Sequence, residues 1–434
     1  MENQFTEKEL GECLELVIDH RGKTPKKLGA DWIPSGIPTI SAKNVNGGRL
    51  VATEDIRYVS HDVYRRWMKE DVKRGDCFLV SEGATLGECM MWDHDYPIVL
   101  GQRIFCLRAN SAVLYPRYLY AYMTSASFQS EIIGRATGTS VDGLRQTEVL
   151  KLKLRLPPLP TQQQIGDTLY HLDKKIELNR RMNATLESMA RALFQNWFED
   201  FGPVRARLEI RRPSGLNPAT AALFPSNFQD SPLGPIPRGW KVEKLSDVMT
   251  FQGGTQPPAS EFTGEPRDGY VRLVQIRDFN TSKHRTYVPD TTKLRKFTTD
   301  DLMLARYGSS GNSARSSDSL GRVCRGLSGA YNVALVKVVP LRPLREFLFC
   351  FLKSNAFQGA IKSMGARSVQ SGFRKEDLDV ISVVTAPPAV HDAFEQLAAD
   401  VWRETYANDQ QSRTLATLRD TLLPKLLSGE VSVS

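Results

Sequence analysis

The sequence predicts an α+β fold used twice: two similar mixed domains separated by two long antiparallel helices, which pair as a coiled-coil spacer about a pseudo-twofold axis. Three observations carry this. One block recurs at a fixed offset, an apolar seam at helical spacing follows each copy, and short apolar runs broken by Gly-rich turns precede each seam. At 434 residues the chain also exceeds the size at which a single hydrophobic core stops growing, so more than one domain is expected.

The segment Tyr118-Leu-Tyr-Ala-Tyr-Met-Thr-Ser-Ala-Ser-Phe128-Gln129 recurs as Phe347-Leu-Phe-Cys-Phe-Leu-Lys-Ser-Asn-Ala-Phe357-Gln358, an offset of 229 residues. The same offset carries Pro158 to Pro387, Ile165 to Phe394, Asn179 to Asn408 and Leu193 to Leu422 without a gap. Upstream the register slips. Lys43-Asn-Val-Asn46 aligns with Arg277-Asp-Phe-Asn280 at 234, and Ser140-Val141 with Ser368-Val369 at 228, as loop insertions would produce. The period is far too long for a solenoid unit, so a whole domain-plus-helix module has been duplicated. The expected bounds are a first domain at 1–155, a helix at 156–200, a connector at 201–239, a second domain at 240–385 and a second helix at 386–434.

In the first helix, Ile165, Leu169, Leu172, Ile176, Asn179, Asn183, Leu186, Ala190, Leu193 and Trp197 follow alternating steps of four and three residues, the spacing of a pairing seam. Thr161 with Gln164 reads as a capping box, behind prolines that block an earlier start, and Gly202-Pro203 reads as the stop. The second helix repeats the seam with Phe394, Ala398, Val401, Thr405, Asn408, Ser412, Leu415, Leu422 and Leu426. Each helix of some 35 residues is about 50 Å long, and neither could leave such a stripe in water, so the two are expected to pack on each other. Asn179 and Asn408 fall mid-seam, where a polar residue either fixes register or faces solvent.

Ile37-Pro-Thr-Ile40, Cys77-Phe-Leu-Val80, Ile98-Val-Leu100 and Ile104 to Leu107 read as strands of the first domain; Val271 to Ile276, Leu302-Met-Leu304 and Val333 to Val339 are their counterparts. Pro116 to Ser130 and Leu344 to Lys362 read as helical. Between the strands lie loops dense in small polar and basic residues. The first copy presents Arg21-Gly-Lys23, Lys43-Asn44, Ser81 with Thr85, and Arg135 with Thr139-Ser140; the second presents Arg277-Asp278, Arg306-Tyr307-Gly-Ser309, Arg315, and Arg367-Ser368-Val-Gln370. Gly permits close backbone approach to a phosphate, hydroxyls donate short hydrogen bonds, and Arg, Lys, Asn and Gln can read base edges, so these are the candidate DNA contacts. Each loop taken singly also fits a solvated turn. In the connector, Arg205, Arg207 and Arg211-Arg212 read chiefly as a solvated charge run.

Composition narrows the class. A formal net charge of +8 favours anionic partners, nucleic acid first. The six cysteines and six histidines are dispersed without metal-ligand spacing, so reduced thiols and no metal are expected. No apolar run is long enough to span a bilayer and none precedes a cleavage site, which makes the cytoplasm the expected location, with no membrane partner. No GxxxxGK[ST] loop, no Asn-Pro-Pro-aromatic turn and no nuclease carboxylate pattern occurs, so no catalytic residue is assigned and no cofactor is expected on this chain.

Leu156-Pro-Pro-Leu-Pro-Thr-Gln-Gln-Gln-Ile165, Leu172-Asp-Lys-Lys-Ile176 and Phe194-Gln-Asn-Trp-Phe-Glu-Asp-Phe201 together resemble the central spacer of Type I restriction-modification specificity subunits. Pro235-Ile-Pro-Arg-Gly-Trp240 resembles the start of that family's second target recognition domain, and Leu422-Leu-Pro-Lys-Leu-Leu-Ser-Gly-Glu430 its carboxyl-terminal end. The second spacer departs from the pattern, with Pro388-Ala-Val-His-Asp392 in place of Pro-Thr-Gln-Gln-Gln. The resemblance implies that each domain reads one half of a bipartite, asymmetric target on double-stranded DNA. It also implies two modification (methyltransferase) subunits along the helices and motor-nuclease restriction subunits, with S-adenosylmethionine, ATP and Mg held by those partners. A standalone restriction or modification enzyme and a two-domain scaffold that binds only protein are the alternatives from other classes; the missing motifs weigh against the first and the basic loops against the second.

Overall fold

The computed structural model of the protein describes residues 5–137, 143–213, 215–279, 285–307, 319–365 and 372–432. The chain divides into two compact units, one of residues Met1–Asn179 with Gln410–Ser434 and one of Arg180–Asp409. The division runs through both long helices, Leu159–Phe194 and Pro388–Ser428, so each unit owns part of each helix.

In the first unit a four-stranded sheet has the order Leu14–Asp19, Ile104–Ala109, Cys77–Val80, Cys89–Met91, with antiparallel neighbours throughout. A second sheet sets Ile37–Ile40 between Arg57–Val59 and Val99–Leu100, the latter pairing being parallel. Thr6–Glu9 pairs with Lys153–Leu156, just ahead of the first long helix. The second unit repeats this plan. Met249–Gly253, Leu335–Pro340, Leu302–Ala305 and Val323–Cys324 form its four-stranded sheet. Tyr270–Val274 lies antiparallel to Tyr287–Pro289 and parallel to Gly329–Tyr331, and Lys241–Lys244 pairs with Ser382–Thr385. The strands Cys77–Val80 and Ile104–Ala109 are apolar almost throughout and buried on both faces, so they read as runs rather than as an alternation.

The predicted helical stretches after the sheets are each broken in two, as Pro116–Met123 with Ala126–Arg135 and Arg345–Lys353 with Asn355–Gly365. The break is chemical: Ser125 Oγ accepts the Phe128 N–H and Ser354 Oγ accepts the Phe357 N–H, each at 3.3 Å, so a new N-cap starts at matched positions. Four residues on, the Gln129 amide donates to Gly87 O (2.9 Å) and Met123 O (2.7 Å). The Gln358 amide donates to Gly321 O (2.8 Å) and Leu352 O (2.6 Å). Gly87 and Gly321 have φ of 86° and 78°, the left-handed region that glycine adopts without strain, so one tertiary lock has been inherited by both copies.

The first long helix starts at Leu159, two residues before the predicted Thr161. Pro160 is tolerated in a first turn whose N–H groups lack helical partners anyway, and Gln162 ties that turn to the domain: its amide donates to Pro157 O and Val113 O while its carbonyl accepts Tyr115 N–H. The helix passes into a π-helical turn at Gln195–Glu199 and ends at Glu199, just ahead of the Gly202-Pro203 pair read as its stop; Gly202–Leu208 opens a further short helix. The connector is likewise packed. Phe201, Val204, Phe224 and Ile236 join the second unit's core, and the Arg207 guanidinium donates to the carbonyls of Ala221, Ala222 and Phe224 at the end of the Pro218–Ala222 helix.

At position 391, matched to Gln162, stands His391. Its Nε2 accepts the Ala386 N–H (3.0 Å) and its ring stacks on Phe198 with 4% of its surface exposed. Burial pushes this imidazole down to about 4. Between that value and the unfolded value of about 6.5 the unfolded chain binds the proton and the folded one does not. Stability is therefore fully present above about pH 6.5 and is lost progressively as pH falls toward 4, by about 3 kcal/mol over the window. In His391→Gln the thermal midpoint of the second unit should depend far less on pH between 7 and 5; an unchanged dependence would place the acid sensitivity elsewhere.

Candidate nucleic-acid interface

The candidate residues fall into three groups. The first is locked in the fold. Asn44 Oδ1 accepts Ser41 N–H and its amide donates to Val51 and Ala52 carbonyls; the matched Asp278 accepts Gln275 N–H (2.7 Å) and pairs with Arg272 at 2.9 Å. Both are buried turn caps rather than surface groups. Ser81 is fully buried just past the strand Cys77–Val80, and its Oγ has no hydrogen-bond partner among the described residues. Arg21 forms an ion pair with Asp19 (2.8 Å), donates to Leu144 O and lies 4.2 Å over the Phe105 ring. Arg135 is held between Glu131 and Glu148. A second group lines surface features. Lys23 donates to Trp67 O (2.9 Å), with burial and the neighbouring Lys69 charge lowering its pKa. Lys43 is exposed beside Asp55 at 3.6 Å, and Thr85 is half-buried in the turn before Gly87. In the second unit Arg277 is exposed and donates to Thr286 Oγ1 (2.8 Å). Arg306 donates to Phe373 O and lies against the Tyr307 ring. The third group, Thr139, Ser140, Ser309, Arg315, Arg367, Ser368 and Gln370, lies outside the described residues.

Lys23 and Lys43 share one cleft of the first unit, lined also by Lys26, Arg57, Trp32, Trp67 and Gln102. Four cations face a single acid, Asp55, in that lining. Sequence reasoning missed Arg57, Trp32 and Gln102 because they come from three separate stretches of chain that only the tertiary fold brings together. Among the described residues no group of three or more His, Cys, Asp or Glu side chains could hold a metal ion, and no helix is long and apolar enough to cross a membrane.

Comparisons with known proteins agree on one likeness. Residues 2–188 match the model of the Type I restriction modification DNA specificity domain. The chain is 24% identical over 417 residues to the Type I restriction enzyme HindI specificity subunit of Haemophilus influenzae, covering 84% of this chain and 88% of that one. It is 21% identical over 418 residues to the MjaIX specificity subunit of Methanocaldococcus jannaschii, covering 95% and 90%. Over most of its length the chain is thus similar to Type I restriction enzyme specificity subunits. Its fold is shared, over 98% of its length and 96% of the other's, with the crystal structure of a Type I restriction-modification S subunit from M. genitalium, at a TM-score of 0.59 and 15% identity.

The seam residues do different jobs in the two units. In the first, Ile165 and Leu169 join Leu423, Leu426 and Leu427 in the core, with Leu172 half-buried and Ile176 buried nearby. Asp173 pairs with Arg419 (2.5 Å), and the Asn179 amide donates to Gln411 Oε1 (2.9 Å) and Ser412 Oγ (3.2 Å). Positions that rise along one helix meet positions that fall along the other, so the segments run antiparallel. In the second unit Asn408 donates to Asn183 Oδ1 (2.9 Å), Asn183 donates to Asp409 Oδ1 (2.8 Å), and Leu193 and Phe194 pack in the core with Phe394. Val401, Leu186, Leu415 and Leu422 are half-buried. Ser412 is the repeat match of Asn183, so each unit joins the same two repeat positions by a side-chain hydrogen bond.

Proposed function

We propose that this chain is a specificity subunit that reads a bipartite, asymmetric target on double-stranded DNA, one half with each unit, and carries no catalytic residue of its own. Two modification subunits supply the S-adenosylmethionine site and restriction subunits supply the ATP and magnesium sites. The observation that supports this reading best is the repeated topology with divergent surface chemistry: strand order, the parallel pair and the Gln–Gly lock recur, while Arg57 of the first unit is matched by Thr286 in the second. A shared frame with different outward groups is what two different half-sequences require.

The test is the salt dependence of DNA binding by the full-length subunit assembled with its modification subunits. Each neutralised phosphate releases counterions, and the logarithm of affinity should fall linearly with the logarithm of salt, at about 0.9 per contact. Six to ten contacts would cost about 10³- to 10⁵-fold between 50 and 200 mM salt. A flat response would overturn the reading in favour of a scaffold that binds protein alone.

A further inference from the structure

The strand Arg57–Val59 sets Arg57 directly opposite Thr39 on Ile37–Ile40, at the wall of the cationic cleft. The Arg57 guanidinium lies 4.1 Å over the Trp32 ring. Among the described residues its side chain makes no ion pair or hydrogen bond, unlike Arg21 and Arg135. A guanidinium attracted to an aromatic face, with no hydrogen bond or ion pair made, leaves its N–H donors available in the planar fork that matches two acceptors side by side. At the floor, Trp67 is 1% exposed and Thr39 8%, and neither Trp67 Nε1 nor Thr39 Oγ1 has a hydrogen-bond partner among the described residues. Gln102, exposed at the turn before Ile104–Ala109, adds an amide at the rim, next to Arg103 with its φ of 63°.

The second unit supplies an independent observation. Register matches Ile37↔Val59 to Val271↔Val288, so Arg57 corresponds to Thr286 and Lys43 to Arg277. There Arg277 donates to Thr286 Oγ1 at 2.8 Å. One place on a shared sheet thus carries two cations in the first unit and an arginine joined to a hydroxyl in the second. The scaffold around it is kept and the donors presented are changed.

We propose that Arg57 is a specificity-determining residue of the first unit, donating from its edge to guanine O6 and N7 in one half of the target while Lys26 and Lys43 hold neighbouring phosphates. This rests on the DNA-reading function proposed above. Trp32 positions the guanidinium, and Gln102 faces the adjoining base pair.

The test uses full-length subunit assembled with its modification subunits, on duplexes carrying the target found by methylation mapping and on duplexes substituted at each base pair in turn. Arg57→Gln should weaken target binding about 10- to 100-fold and erase the preference at one G·C pair of one half only. Arg57→Lys keeps the charge and the ring contact but not the fork, and should lose the same preference with an unchanged thermal midpoint. Lys43→Ala should weaken all sequences alike and lower the salt slope by about one. If Arg57→Gln and Arg57→Lys keep the wild-type preference at every position, or relax both halves together, the assignment is overturned while DNA reading stands. A wild-type assembly that does not distinguish target from scrambled DNA would overturn both.

Discussion

Replacing Glu346 by alanine is expected to cost the second unit about 3–5 kcal/mol and to lower its unfolding midpoint by roughly 6 to 20 °C. Glu346 pairs with Arg325 at 2.6 Å, with side chains 3% and 1% exposed. The guanidinium also lies 4.1 Å over the Trp402 ring of the second long helix. Burial lowers the pKa of Arg325, the ion pair opposing that effect. Removing the carboxylate leaves a desolvated cation with no other ion-pair partner among the described residues, and that loss of compensation is the source of the cost. Arg325→Met combined with Glu346→Leu should recover most of it, because the burial cost of both charges disappears together. Calorimetry on full-length protein reads both. An Glu346→Ala transition within 2 °C of wild type would mean that the pair contributes nothing.

Exchanging residues 1–155 for the corresponding part of another specificity subunit is expected to replace one half of the target completely and leave the other intact. The cut falls within Lys153–Leu156, whose partner Thr6–Glu9 travels with the exchanged piece, so the strand pair is inherited almost whole. The recipient keeps Ile165, Leu169, Leu426 and Leu427, against which the new domain must pack. Donors with apolar residues matching Tyr118 and Leu119 should therefore fold best. Methylation mapping of host DNA reads the outcome. A change in both halves would show that the two units do not read independently.

Much of the architecture was legible because duplication makes a long-range signal local. Matching Phe128-Gln129 to Phe357-Gln358 needs no structure, and the seam spacing places Ile165, Leu169 and Phe394 on buried helix faces, where they are found. Strands such as Cys77–Val80 and Ile104–Ala109 announce themselves as apolar runs. The interface was less legible. Asn44 and Asp278 look like surface hydrogen-bonding groups in a string of letters, yet both cap turns, since short polar side chains serve backbone groups as readily as ligands. Ser81 follows a buried strand and is buried with it. Conversely Arg57 sits in an unremarkable stretch; its exposure of donors depends on Trp32, twenty-five residues away, and no periodicity reports that. The Ser125 and Ser354 breaks carried a usable signal, an N-cap serine three residues before a phenylalanine in both copies.

The ownership of the long helices has a consequence for the order of events at the ribosome. Residues 180 to 409 are continuous in sequence, so the second unit can close as soon as that stretch has emerged. The first unit cannot, although most of it is made earlier: Leu423, Leu426 and Leu427 complete its core, and they are synthesised some 250 residues after Ile165 and Leu169. Until then the nascent domain holds an open apolar face, a natural station for chaperones and the place where a premature stop would be felt first.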